Sequence, residues 1–230
     1  MSSQDLQTQP SAPKAAKPYK GMAMEGIIAR WYTNIRKDDA ELAPVVRQVS
    51  DLLPAESRIL EVAPGPGYLA IELAKLGRYQ ISGLDISRTF VGIAREKARA
   101  AAVEVDFQQG DVAHVPYESD LFDFIVCRAA FKNFSNPARA LNEMYRVLKC
   151  GGTALIIDLR RDAPKETIDQ YVDTIGLNWW DSFLTKWTFE LMLKRRAYLK
   201  NEITDLVSQT PFEHLAIEET AMGMEIRLRK

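Results

Sequence analysis

Three carboxylates and one glycine turn carry the pattern in this chain most able to do chemistry. Glu61 precedes the turn in Ile59-Leu60-Glu61-Val62-Ala63-Pro64-Gly65-Pro66-Gly67-Tyr68-Leu69-Ala70, an apolar run that enters a tight turn and opens a helix. Asp85 closes Gly83-Leu84-Asp85, and Asp111 follows in Gly110-Asp111-Val112. In an open α/β sheet, ligands bind at the carboxyl ends of the strands. Glycines there admit ligand atoms to the backbone, and a helix N-terminus presents oriented N–H groups. A carboxylate at the end of a second strand can accept both ribose hydroxyls, and one beyond a third strand can receive an adenine amino group. Nucleoside recognition is the chemistry implied. Gly65-Pro66-Gly67-Tyr68-Leu69-Ala70 also satisfies G-x-G-x-x-A, with Asp85 20 residues after Gly65, so a nicotinamide dinucleotide fits the same residues.

Elements with the right periodicity position these groups. The pattern predicts strands at Arg58–Ala63, Tyr79–Asp85, Val103–Phe107, Phe122–Arg128 and Thr153–Asp158. Helices are predicted from Gly67 to Leu76, ended by Gly77, and from a Ser87 cap to about Ala101. Another starts at Asn136-Pro137 and ends at Lys149-Cys150-Gly151-Gly152. Such βα repeats imply a parallel sheet with helices on both faces. Before the repeats, Met24 to Ile35 and Ala40 to Leu53 read as amphipathic helices. After them, Leu177, Trp180, Leu184, Trp187 and Leu191 form a helical stripe. Phe212–Thr220 and Met224–Arg229 then read as a pair of antiparallel strands.

Composition narrows the partners. The 230 residues carry 30 Lys plus Arg against 31 Asp plus Glu, a formal net charge of −1, which removes the footprint of a dedicated nucleic-acid binder. Cys127 and Cys150 are too few for a disulfide framework and form no CxxC pair, so two reduced, packed thiols and no metal site are expected. No apolar run approaches the ~18 residues of a membrane span. A cytoplasmic location is the expectation.

With Glu61, Asp85 and Asp111 in register, the chain resembles the class I S-adenosylmethionine-dependent methyltransferases of the small-molecule type that includes quinone methyltransferases. The resemblance covers roughly residues 58 to 158. It extends through Phe122-Asp123-Phe124-Ile125-Val126 and Glu143-Met144-Tyr145-Arg146-Val147-Leu148-Lys149-Cys150-Gly151-Gly152. It implies a Rossmann-like, seven-stranded, mostly parallel sheet with an antiparallel C-terminal hairpin and helices on both faces. By resemblance, Glu61 with Ala63, Pro64, Gly65 and Gly67 would hold the methionine portion of the donor, and Asp85 the ribose. Asp111 and Val112 would hold the adenine, on which Ile86 packs, and Arg128 and Ala129 would border the donor and acceptor sites. The family usually has glycine where Ala63 stands. Pro64 and Pro66 each remove a backbone donor, so a stiffer loop with fewer N–H contacts is expected, with Gly65 and Gly67 left for close approach.

The implied activity is methyl transfer from S-adenosyl-L-methionine to a small hydrophobic or aromatic acceptor by in-line displacement, in which positioning supplies much of the catalysis. A base is needed only if the acceptor holds its proton. The candidate base is His114, otherwise a turn histidine, while Arg128 and Lys132 are candidates to orient an anionic acceptor, otherwise solvated charges. Trp31, Trp180, Phe183 and Trp187 are candidates for an acceptor pocket or for simple packing, and Tyr19 and Tyr32 for a lid over the donor. The layout expected is a disordered tail over 1–20, a helical lid over 21–57, a cofactor core over 58–158, an acceptor cap over 159–210 and terminal strands over 211–230. Two rival readings are a cofactor-binding protein without transferase activity and an NAD-dependent oxidoreductase. The only Tyr-x-x-x-Lys pair, Tyr145 and Lys149, lies where a proton relay at the crevice is not expected.

Overall fold

The computed structural model describes residues 19–20, 24–26, 29–30, 33, 42–174, 185 and 193–230. The described elements run α1 (Leu42–Leu52), β1 (Arg58–Val62), α2 (Tyr68–Lys75), β2 (Gln80–Asp85), α3 (Arg88–Ala100), β3 (Asp106–Gln109), β4 (Phe122–Arg128), α4 (Pro137–Val147), β5 (Leu148–Leu159) and α5 (Lys165–Thr174). A short turn of helix, Lys194–Arg196, then leads to α6 (Lys200–Val207), β6 (His214–Glu219) and β7 (Gly223–Arg229).

The strands form one seven-stranded sheet in the order β3-β2-β1-β4-β5-β7-β6. The first five pair in parallel, whereas β7 runs antiparallel to both β5 and β6. Chain order reverses at β1, whose neighbours are β2 and β4, so the crevice expected of such a sheet lies between the ends of β1 and β4. Both faces are covered, which is why the central strands carry apolar residues without alternation. In β4, Phe122, Ile125 and Cys127 enter one core with Leu141 and Met144 of α4. Phe124 and Val126 enter the other with Leu73 of α2 and Val91 of α3.

Local chemistry explains most boundaries. Ser87 caps α3 by accepting from Phe90 N, Asn136 caps α4 by accepting from Arg139 N, and Pro137 occupies the first turn of α4. The boundaries of β3, α4 and β5 differ most from expectation. The third strand forms at Asp106–Gln109 because Ala102 turns left-handed (φ 54°) and Val103 N bonds back to Ala98 O, which consumes the preceding residues. Helix α4 stops at Val147, and Leu148 already pairs with Phe122. A register shift then takes up the Gly151-Gly152 stretch, where Gly151 has φ 78° and a Cβ at Gly152 would lie 2.9 Å from Lys149 O. Cys150 is exposed at this bulge, so only Cys127 of the two thiols is packed.

Residues 1–18 of the expected tail lie outside the described residues, as does the Leu177 to Leu191 stripe. Of the first predicted helix, Gly26, Ala29, Arg30 and Thr33 are described and helical. No described helix is long and apolar enough to cross a membrane.

Candidate functional site

Strands β1 and β4 flank the reversal and end the same way. Ala63, just past β1, still donates its N–H to Leu84 O at 2.8 Å, and Ala129, just past β4, donates to Ile157 O at 2.7 Å. Each then turns left-handed, Ala63 at φ 55° and Ala129 at φ 57°. Alanine in this region costs roughly 1 kcal/mol or more relative to glycine, and such strain gathers where the fold must open a site. The two turns carry the chain away from the sheet on either side of the crevice.

Two buried carboxyls stand beside the first turn. Glu61 is 4% exposed and accepts from Ala70 N at 2.8 Å through Oε2. Burial pushes its carboxyl up to about 7, with the Asp85 charge adding to the rise and the Ala70 amide and Arg128 charge opposing it. Asp85 is 5% exposed and accepts from Gly65 N at 2.9 Å and Ser87 N at 2.8 Å. Burial raises its carboxyl as well, against those two amides. Each carboxylate oxygen has a second lone pair to offer.

The loop between them divides its glycines by role. An added Cβ at Gly65 would meet nothing within 4 Å, so open space faces this residue beside Asp85. At Gly67, a Cβ would lie 2.6 Å from Phe107 Cζ and 2.9 Å from Ala94 Cβ. Gly67 therefore packs helix against strand, contrary to the expectation that it leaves room for a ligand. With Pro64 and Pro66 lacking donors, the remaining amides are those of Ala63, Gly65 and Gly67, and they bond to Leu84 O, Asp85 and Pro64 O. The loop is as poor in free N–H groups as its prolines imply.

The adenine-side candidates lie past β3. Asp111 Oδ1 accepts from Ala113 N at 2.9 Å and caps a 3-10 turn, Val112–His114, in which Val112 is buried. Ile86, half-buried, follows Asp85, and its carbonyl accepts from Gln109 Nε2 at 3.3 Å. His114 is exposed and lies near Glu143, whose bond from Arg146 holds its carboxyl below the usual range. It thus neighbours α4.

The far side of the crevice holds a group that sequence reasoning misplaced. Lys132, expected as a solvated charge or an acceptor ligand, is buried in the 3-10 turn Phe131–Asn133. Its Nζ lies 2.6 Å from Asp158 Oδ1 and donates to Ala129 O at 2.7 Å, while its backbone N donates to Asp158 Oδ2 at 2.8 Å. Sequence reasoning could not pair them, because Lys132 follows β4 and Asp158 lies near the end of β5, on different elements. Asp158 itself ends the fifth expected strand, the same signal that singled out Asp85. Arg128, half-buried, is close enough to Glu61 for its charge to act there.

Tyr19, at the edge of the expected tail, forms a backbone bridge to Phe134, and Lys20 N donates to Asn133 O at 2.7 Å. Trp31, Tyr32, Trp180, Phe183 and Trp187 lie outside the described residues. Tyr145 and Lys149 form no relay at the crevice. Lys149 bonds Asp123 at 2.8 Å, and the Tyr145 ring packs edge-on against Phe212. Among the described residues, no group of three or more His, Cys, Asp or Glu could hold a metal ion.

Residues 60–156 match the family model described as a methyltransferase domain. The demethylmenaquinone methyltransferase of Deinococcus radiodurans is 36% identical over 102 residues, covering 44% of this chain and 42% of that protein. The chain spans less than half the length of such curated relatives. Among solved structures, a Methanococcus maripaludis protein provisionally named an S-adenosyl-L-methionine-dependent methyltransferase superposes with TM-score 0.75 at 22% identity, covering 92% of this chain and 95% of that one. The plantazolicin methyltransferase BpumL, solved with S-adenosylhomocysteine, gives TM-score 0.68 at 13% identity, covering 88% and 90%.

Proposed function

We propose that the protein transfers a methyl group from S-adenosyl-L-methionine to a small, apolar, quinone-like acceptor by in-line displacement, a reading supported by the match of residues 60–156 to a methyltransferase-domain model. The observation that carries the donor assignment is the pair of buried carboxyls, Glu61 and Asp85, beside the open space at Gly65. Backbone amides satisfy part of each carboxyl, Ala70 N on Glu61 and Gly65 N with Ser87 N on Asp85, and a bound ligand would complete the rest.

When bound, S-adenosyl-L-methionine supplies an electrophilic methyl on a cationic sulfur. Asp85 would accept the ribose hydroxyls through lone pairs left free by Gly65 and Ser87. Glu61 would face the methionine portion, ionised by its positive charge. Asp111, Val112 and Ile86 would border the adenine. Arg128 and Ala129, at the end of β4, would separate donor from acceptor. A neutral or weakly acidic acceptor suits this chain, whose charges balance overall.

The acceptor class rests on the named relative, which acts on demethylmenaquinone by its name. Incubation with labelled methyl donor and a panel of reduced naphthoquinones, benzoquinones and simple phenols tests it. Label transfer to a reduced quinone is the expected result. Donor binding without transfer to any acceptor would favour a cofactor-binding protein, and transfer only to phenols or amines would overturn the acceptor class.

A further inference from the structure

Helix α3 opens with four amides that no helical carbonyl can reach, and all four are satisfied. Ser87 N donates to Asp85 Oδ1 at 2.8 Å, and Phe90 N to Ser87 Oγ at 3.1 Å. The two between are taken by a residue 63 positions upstream. Arg88 N donates to Glu25 Oε1 at 2.9 Å and Thr89 N to Glu25 Oε2 at 3.1 Å, with the Thr89 hydroxyl on the same carboxylate. Gly26 N returns a bond to Thr89 Oγ1 at 3.0 Å, and Ser87 Oγ donates to Met24 O at 2.6 Å.

One turn, Asp85-Ile86-Ser87, therefore faces two ways. Asp85 meets the crevice, while Ser87 and the amides after it grip Met24–Gly26. Glu25 is exposed, so burial of its side chain does not explain its fixed position. A carboxylate at a helix N-terminus does, because the amides and the helix dipole both favour negative charge. The same upstream stretch is anchored elsewhere at the carboxyl edge of the sheet. Tyr19 and Lys20 pair with Phe134 and Asn133 after β4, and Tyr68 OH, at the start of α2, donates to Thr33 O at 3.1 Å. These anchors stand on both flanks of the switch point.

We propose that Glu25 is a positioning residue for the methyl donor: by bridging the first two amides of α3 it fixes Met24–Gly26 beside the Asp85 turn, so that donor binding and docking of this segment stabilise each other. The proposal rests on the reading of the crevice as the donor site. Coupling of this kind is reciprocal, so whatever orders the Asp85 turn must also order the segment docked on it.

Calorimetric titration with S-adenosylhomocysteine of the wild type, Glu25→Gln and Glu25→Ala, paired with amide hydrogen exchange, tests this. The expected loss of affinity in Glu25→Ala is roughly threefold to thirtyfold, the range of one lost helix cap. Glu25→Gln, with one acceptor oxygen, falls between. In the wild type the ligand slows exchange at Met24–Gly26, and in Glu25→Ala it does not, while its protection of β1 persists. Equal affinity in all three proteins, or ligand-induced protection of Met24–Gly26 that survives Glu25→Ala, overturns the coupling and leaves the donor site standing. Absence of binding to the wild type overturns the donor reading, and the coupling with it.

Discussion

Asp85 and Asp158 occupy matching places, each at the carboxyl end of a parallel strand and each almost fully buried, at 5% and 7% exposure. Their partners differ. Asp85 is held by two backbone amides and faces open space at Gly65. Asp158 is closed off by Lys132 Nζ at 2.6 Å, Lys132 N at 2.8 Å and Leu159 N at 2.7 Å. On the proposed reading, one carboxylate is left for a ligand to complete, while the other is completed by the fold. Position on the sheet alone does not make a binding residue; the source of its compensating charge does.

The largest expected effect falls on the closed site. Lys132→Met leaves Asp158 buried without its cation, and chemical denaturation should register a loss of about 3–5 kcal/mol. The double replacement Lys132→Met with Asp158→Leu should recover most of that. A loss under about 1 kcal/mol in the single variant would place Asp158 with Asp85 as an open carboxylate.

Glu61 gives the next effect, with its sign set by its raised pKa. A carboxyl raised from 4.5 to about 7 stabilises the free protein below its unfolded pKa, and that contribution of roughly 3 kcal/mol disappears as pH rises through 7. Glu61→Gln should flatten the fall in stability between about pH 4.5 and 7, the interval between the unfolded and folded pKa values. If Glu61 faces a cation of the donor, wild-type affinity should increase over the same interval and that of Glu61→Gln should not. A wild-type stability profile indifferent to pH there would contradict the burial argument.

The smallest effect tests the left-handed alanine of the glycine turn against its packed glycine. Ala63→Gly should relieve strain and change stability by no more than about 1 kcal/mol, the backbone entropy of glycine opposing the gain. Gly67→Ala, by contrast, should destabilise by roughly 1–3 kcal/mol because its methyl collides with Phe107 and Ala94. Equal responses at the two positions would remove the distinction between a strained loop residue and a packed one.

The parallel core was legible because strand and helix periods, Ser87 and Asn136 caps and Gly77 all act within a few residues. The carboxylates Glu61, Asp85 and Asp111 were legible for the same reason, each standing at or just beyond a strand boundary. What escaped depends on contacts between distant segments. Nothing local marks Glu25 as the cap of α3, or Lys132 as the partner of Asp158, since neither pair shares an element. The start of β3 was misplaced because the left-handed turn at Ala102 has no glycine to announce it. The division of labour between Gly65 and Gly67 also needed coordinates, because only the place of the Phe107 ring distinguishes them.

The central claim is that Asp85 is the open carboxylate of a methyl-donor site. Parallel calorimetric titration of the wild type and Asp85→Ala with S-adenosylhomocysteine tests it most directly. The account predicts saturable binding by the wild type and an affinity roughly 100-fold lower in the variant, the value of charge-assisted hydrogen bonds to a ligand. No binding by the wild type, or equal binding by both, would contradict it.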